Sequence, residues 1–75
     1  MLSGAQCRMA RGLLRWSVRK LEETSGVSSM TIKRMELADG MPSSNINTLL
    51  AVRQAFVDTG KVEFIDQNGV VFIDG

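Results

Sequence analysis

The sequence predicts a mainly α domain of four short helices followed by a C-terminal β-hairpin. Apolar residues recur at spacings of three and four from Cys7 to Val57, the period of a helix buried on one face. A polar residue able to cap a helix (Ser3, Ser17, Ser28 or Ser29, and the run Ser43, Ser44, Asn45) stands ahead of each such stretch. Beyond Gly60 the pattern changes to two short β-branched and aromatic runs, Val62 to Ile65 and Val70 to Ile73, flanking Gln67, Asn68 and Gly69.

Each element has its own signals. Ser3 and Gln6 have the spacing of a capping box, so a first helix begins there. Its inward stripe is Cys7, Ala10, Arg11 and Leu14 with Leu13 alongside, and it ends near Arg15. Ser17 caps a second helix of about two turns that carries Val18 and Leu21 inward, and Gly26 closes it in left-handed geometry. Val27 buries in the turn. Ser28 or Ser29 caps a third helix with Ile32 and Met35 inward, stopped by Asp39 and Gly40. Pro42, Ser43, Ser44 and Asn45 form a loop and a cap. The fourth helix then packs Ile46, Leu49, Leu50, Phe56 and Val57, ending at Gly60. Residues 1–60 and 61–75 are therefore read as a helical domain and a hairpin appended to it.

Composition excludes several classes of function. At 75 residues, 44% hydrophobic and 23% charged, the chain builds one small core, not a large enzyme scaffold. No apolar run approaches the roughly 18 residues of a membrane helix, and early charge argues against a signal peptide, so a cytoplasmic location without membrane contact is expected. One cysteine, Cys7, and no histidine leave neither an internal disulfide nor a zinc site, and Cys7 is read as a small buried apolar group. Without a histidine base, a phosphate-cradling glycine loop or paired acids at a telling spacing, neither catalysis nor a cofactor is expected. Charge is uneven along the chain. Residues 1–36 hold seven basic groups against Glu22, Glu23 and Glu36, a balance of +4, whereas residues 37–75 hold two against five acids, −3. The first half suits a polyanion.

Residues 17–36, SVRKLEETSGVSSMTIKRME, form two short helices around a tight glycine-containing turn. This stretch resembles the helix-turn-helix of the phage-repressor and Cro-like (XRE-type) bacterial transcription regulators, and the likeness extends over about residues 3–60. Leu21, Gly26, Val27, Ile32 and Glu36 stand at the family's helix 2 core, turn glycine, turn apolar, recognition-helix core and terminal glutamate positions. GAQCRMAR at the start, the Trp16–Ser17 pair and GKVEFID at the end are similar to a bacterial subgroup. The resemblance implies a compact lambda-repressor-like fold that binds double-stranded DNA through the helix Ser28 to Leu37, usually as a homodimer. In that docking Ser28, Ser29, Met30, Lys33 and Arg34 face outward at the groove. Arg34 suits guanine in a bidentate bond, Met30 a thymine methyl, and Ser29 several bases. Arg19, Lys20, Thr31 and Lys33 suit phosphates. Where the family has glutamine at the start of helix 2 this chain has Val18. Glu22 follows the helix 2 leucine where the family prefers a small residue, so either the helices stand wider or Glu22 bends out toward Lys33 or Arg34.

Charge placement predicts one contact on physical grounds. Arg11 lies on the apolar stripe of the first helix and Glu36 on that of the third, and two buried charges are tolerated when they meet. An Arg11–Glu36 ion pair is expected to join those helices. Trp16 reads as a core plug between helices, and Met9, Met35 and Met41 as packing filler. In the hairpin, loops of two or four residues both place Val62, Phe64, Val71 and Ile73 on a core-facing side. Ile65, Val70 and Phe72 then form the opposite face and, beside unpaired strand edges, the expected dimer contact. A different class of function remains open: a protein-interaction module, such as an antitoxin, gripping a partner protein with its acidic tail and hairpin.

Overall fold

The computed structural model describes residues 2–38, 45–66 and 69–73. It contains four helices, α1 (Gly4–Leu14), α2 (Val18–Ser25), α3 (Ser29–Leu37) and α4 (Ile46–Val57), and an antiparallel pair, β1 (Val62–Ile65) and β2 (Gly69–Phe72). α1 packs against α3, α4 and both strands, while α2 lies across α3 and α4.

Local chemistry explains the helix boundaries. The Ser3 hydroxyl accepts from the Gln6 amide at 3.1 Å and Gln6 Oε1 accepts from the Ser3 amide at 3.0 Å, a reciprocal cap that satisfies two of the donors a helix start leaves free. Ser17 and Ser28 cap α2 and α3 by accepting from the Lys20 and Thr31 amides. Asn45 does the same for α4 at 2.7 Å from the Asn47 amide. Arg15, with φ 58°, ends α1 in left-handed conformation, and Gly26, with φ 77°, ends α2. α3 ends at Leu37 with Ala38 in extended geometry; Asp39, Gly40, Met41 and Pro42 to Ser44 lie outside the described residues.

Gly4 sets how closely α1 approaches α3. A Cβ at this position would lie 1.8 Å from the Ala38 carbonyl oxygen and 2.3 Å from that of Met35, so the end of α3 occupies the space a side chain would need. Nothing in the sequence pattern signalled this approach.

Among the described residues the core consists of Leu2, Cys7, Ala10, Leu21, Ile32, Met35, Leu49, Val52, Ala55, Phe56 and Val62. Trp16 packs on it from the α1–α2 connection, its ring stacked on Phe56 at 5.6 Å between centroids. Phe64 meets Phe56 edge-on at 6.1 Å, beneath the Arg53 guanidinium. Truncating a fully buried ring such as Phe56 costs about 3 to 5 kcal/mol.

Two expected helix faces are corrected. α4 buries Leu49, Val52, Ala55 and Phe56, whereas Ile46 and Leu50 are exposed at 55% and 48% and Val57 is half-buried. The helix is apolar over much of its circumference, so its sequence left the inward stripe ambiguous. On α1, Cys7 and Ala10 are buried and Leu14 half-buried, but Leu13 and Met9 are exposed, because the packing stripe is narrower than the apolar content suggests.

The hairpin faces are corrected as well. Val62 pairs with Phe72, Glu63 with Val71, Phe64 with Val70 and Ile65 with Gly69, which leaves a three-residue loop, 66–68. An odd loop shifts the second strand by one residue, and a one-residue shift exchanges its two faces. Val70 and Phe72 therefore share the side of Val62 and Phe64, while Ile65 and Val71 are on the other. Val70 packs against the core. Ile65, Val70 and Phe72 do not form one surface. Asp66, at φ 54°, turns the chain into this loop.

Candidate nucleic-acid interface

α3 is mounted on its inner face and open on its outer one. Ile32, Met35 and Glu36 are buried, whereas Met30, Lys33, Arg34 and Leu37, spaced three and four apart, are exposed along a single stripe. Among the described residues Met30 and Leu37 are the most open large apolar side chains, at 78% and 85%. Neither Lys33 nor Arg34 makes an ion pair with a described residue.

The mount centres on one carboxylate. Arg11 Nε donates to Glu36 Oε2 and Arg11 Nη2 to Glu36 Oε1, both at 2.9 Å, a bidentate pair with Glu36 only 9% exposed. Arg11 Nη1 donates to the Trp16 carbonyl at 3.0 Å, tying the α1–α2 connection to the same group. The Cys7 thiol donates to Glu36 Oε2 at 3.3 Å, and Arg8 donates to the Glu36 backbone carbonyl. Burial, reinforced by the Glu36 charge, pushes the Cys7 thiol well above its ordinary range, so it stays protonated and acts as a donor. Hydrogen bonding to Glu36 strengthens the hold of Arg11 on its proton. α1, α3 and the turn before α2 thus converge on Glu36.

The start of α3 is held by α2. Glu22 Oε2 accepts from the Ser29 amide at 2.9 Å, and Oε1 accepts from the Ser29 hydroxyl at 3.0 Å. These bonds, the backbone one foremost, lower the Glu22 pKa. The expectation that Glu22 turns to Lys33 or Arg34 is corrected: it caps the neighbouring helix, since an N-terminus with free amides attracts a carboxylate. Ser28 Oγ and Thr31 Oγ1 lie 2.9 Å apart, so Thr31 is engaged in the cap region. On α2, Arg19 and Lys20 are exposed, and Arg19 makes only a loose 3.9 Å pair with Glu23. Leu21 alone is fully buried there, and Val18 and Val27 are half-buried beside the core.

A second polar joint lies at the start of α1. Gln6 is fully buried, and its Nε2 donates to the carbonyls of Asp66 at 2.9 Å and Gly69 at 3.0 Å, with that of Ile65 at 3.5 Å. The capping-box spacing revealed the role of its oxygen. Its nitrogen bonds to residues about sixty positions away, which no local pattern encodes.

Among the described residues no helix is long and apolar enough to cross a membrane, and no group of three His, Cys, Asp or Glu side chains could hold a metal ion. No protein-family model matches this sequence, and no curated protein matches it.

Proposed function

We propose that the chain is a sequence-specific DNA-binding regulator of the helix-turn-helix type, lambda-repressor-like in fold, with α3 as the major-groove helix. The observation that carries this reading is the contrast between the two faces of α3. Its inner face is fixed by Ile32, Met35 and the Arg11–Glu36 pair, while its outer face presents Met30, Lys33, Arg34 and Leu37 to solvent. A rigidly held helix with uncommitted cations fits a groove lined by phosphates and base edges. Arg34 reads bases, Met30 contacts a thymine methyl, and Arg19, Lys20 and Lys33 meet phosphates. Two copies joined through the exposed hairpin would space their α3 helices about 34 Å apart, one turn of DNA.

Titration of a random-sequence duplex at two salt concentrations tests the reading. Three phosphate contacts per copy, by Arg19, Lys20 and Lys33, give a salt slope of about −2.7 and a loss of about fortyfold in affinity between 50 and 200 mM salt for a single copy, and about twice that slope for a bound pair. A second reading, a module that binds a protein partner, is favoured by the exposed Ile65, Val71 and Ile73 beside open strand edges. Indifference to DNA at low salt together with tight binding of one protein would select it.

A further inference from the structure

The hydroxyls at the start of α3 differ in one respect that bears on what they can recognise. Ser28 and Thr31 face each other, and either hydroxyl can give its proton to the other. Ser29 has no such choice. Its Oγ lies 3.0 Å from Glu22 Oε1, and an ionised carboxylate only accepts. The same carboxylate accepts from the Ser29 amide, and the two bonds together keep it ionised at neutral pH. The single hydroxyl proton of Ser29 is therefore committed to Glu22, and only the oxygen lone pairs remain for an outside partner.

We propose that Glu22 is a positioning residue for base recognition, making Ser29 an acceptor-only reader that selects an amino-bearing base, adenine or cytosine, at one position of the site. This rests on the DNA-binding reading of α3. In the major groove adenine N6 and cytosine N4 offer donors, whereas guanine O6 and thymine O4 offer acceptors. A hydroxyl free to rotate would take either kind. One without its proton pairs with the amino bases and meets the keto bases lone pair to lone pair. One net hydrogen bond corresponds to roughly two- to tenfold discrimination.

Glu22→Gln gives a sharp test, because the Ser29 amide can only donate. The glutamine must turn its Oε1 toward that amide, which points its Nε2 at the Ser29 oxygen. Nε2 then donates to one lone pair of Ser29, which keeps its proton and its second lone pair for the DNA side, and the preference for amino bases is lost. Glu22→Ala frees the hydroxyl in both directions and flattens the preference; Ser29→Ala removes it.

The experiment is selection of bound sequences from a random duplex pool by the full chain and these three variants, with folding checked by thermal melts. The expected result is one position enriched roughly two- to tenfold in adenine or cytosine by the native chain. That position becomes indifferent in Ser29→Ala, Glu22→Ala and Glu22→Gln alike. If Ser29→Ala relaxes no position, or the native chain takes a keto base at the position it relaxes, the inference is overturned while DNA binding stands. The same holds if a folded Glu22→Gln keeps the native preference. Should Glu22→Gln fail to fold, the native and Ser29→Ala selections decide alone. If the native chain retains no duplex even at low salt, this inference and the proposed function fall together.

Discussion

The Arg11 guanidinium and the Glu36 carboxylate lie edge to edge, joined by two 2.9 Å hydrogen bonds, and through them α1 holds the helix proposed to enter DNA. The pair is closed at one end, where Glu36 is 9% exposed, and open at the other, where the Arg11 side chain is 26% exposed. Each charge depends on the other because neither has enough water to replace its partner.

Arg11→Met and Glu36→Leu should each destabilise the fold by about 3 kcal/mol, the lower end for buried pairs because Arg11 is partly solvated. The double variant should recover much of that loss, since no buried charge is left alone. Urea unfolding of the four proteins checks this. Losses that simply add would mean the two side chains are not coupled.

Two glycines of α1 should respond oppositely to alanine. Gly4→Ala drives a methyl into the Ala38 and Met35 carbonyls, where a Cβ would sit at 1.8 and 2.3 Å, and overpacking of this kind costs about 1 to 3 kcal/mol or more. At Gly12 nothing lies within 4 Å, so alanine should stabilise the helix by about 0.5 to 1 kcal/mol. Thermal midpoints moving in the same direction would contradict the packing of α1 on α3.

Glu22 predicts the shape of the acid limb. Its carboxyl has a lower pKa folded than its ordinary 4.5, so the unfolded chain binds the proton more readily. The stabilisation is fully present above about pH 4.5 and is lost as pH falls through the lower, folded value. Glu22→Gln should unfold with a shallower dependence on pH between 5 and 3. Superimposable pH profiles for the two proteins would show that Ser29 does not bind this carboxylate.

Gln6→Leu should loosen the hairpin by removing the donor for two buried-side carbonyls, those of Asp66 and Gly69. The expected cost is about 1 to 3 kcal/mol. Hydrogen exchange should quicken in residues 62–73 before the helices. Uniform quickening over all four helices would place the hairpin elsewhere in the cooperative order.

The helices were legible in the sequence because their determinants are local. Ser3, Ser17, Ser28 and Asn45 cap within three residues of themselves, and Gly26 closes α2 by its own φ. The Arg11–Glu36 contact was legible because two charges fell on apolar stripes. The hairpin faces were not, since parity depends on whether the loop has an even or odd number of residues and Asp66 begins a three-residue loop. Nor was the bond from Glu22 to Ser29, which forms across a turn whose geometry fixes which way a flexible side chain reaches. The inward face of α4 was obscured because Ile46 and Leu50 are as apolar as the residues that do pack.

Against the proposed base contact, Arg34→Ala should lose about 1 to 3 kcal/mol on the preferred site and relax one base pair, whereas Lys33→Ala should weaken all sequences alike. Equal affinity and unchanged selectivity in Arg34→Ala would remove that side chain from the interface.

The most direct measurement is amide chemical-shift mapping of the isotope-labelled chain titrated with a short duplex at low salt. The largest changes should fall on Ser28 to Arg34 and on Arg19 and Lys20, reverse when salt is raised, and leave α4 little affected. Changes confined to the hairpin residues 62–73, or no change at saturating duplex, would contradict it.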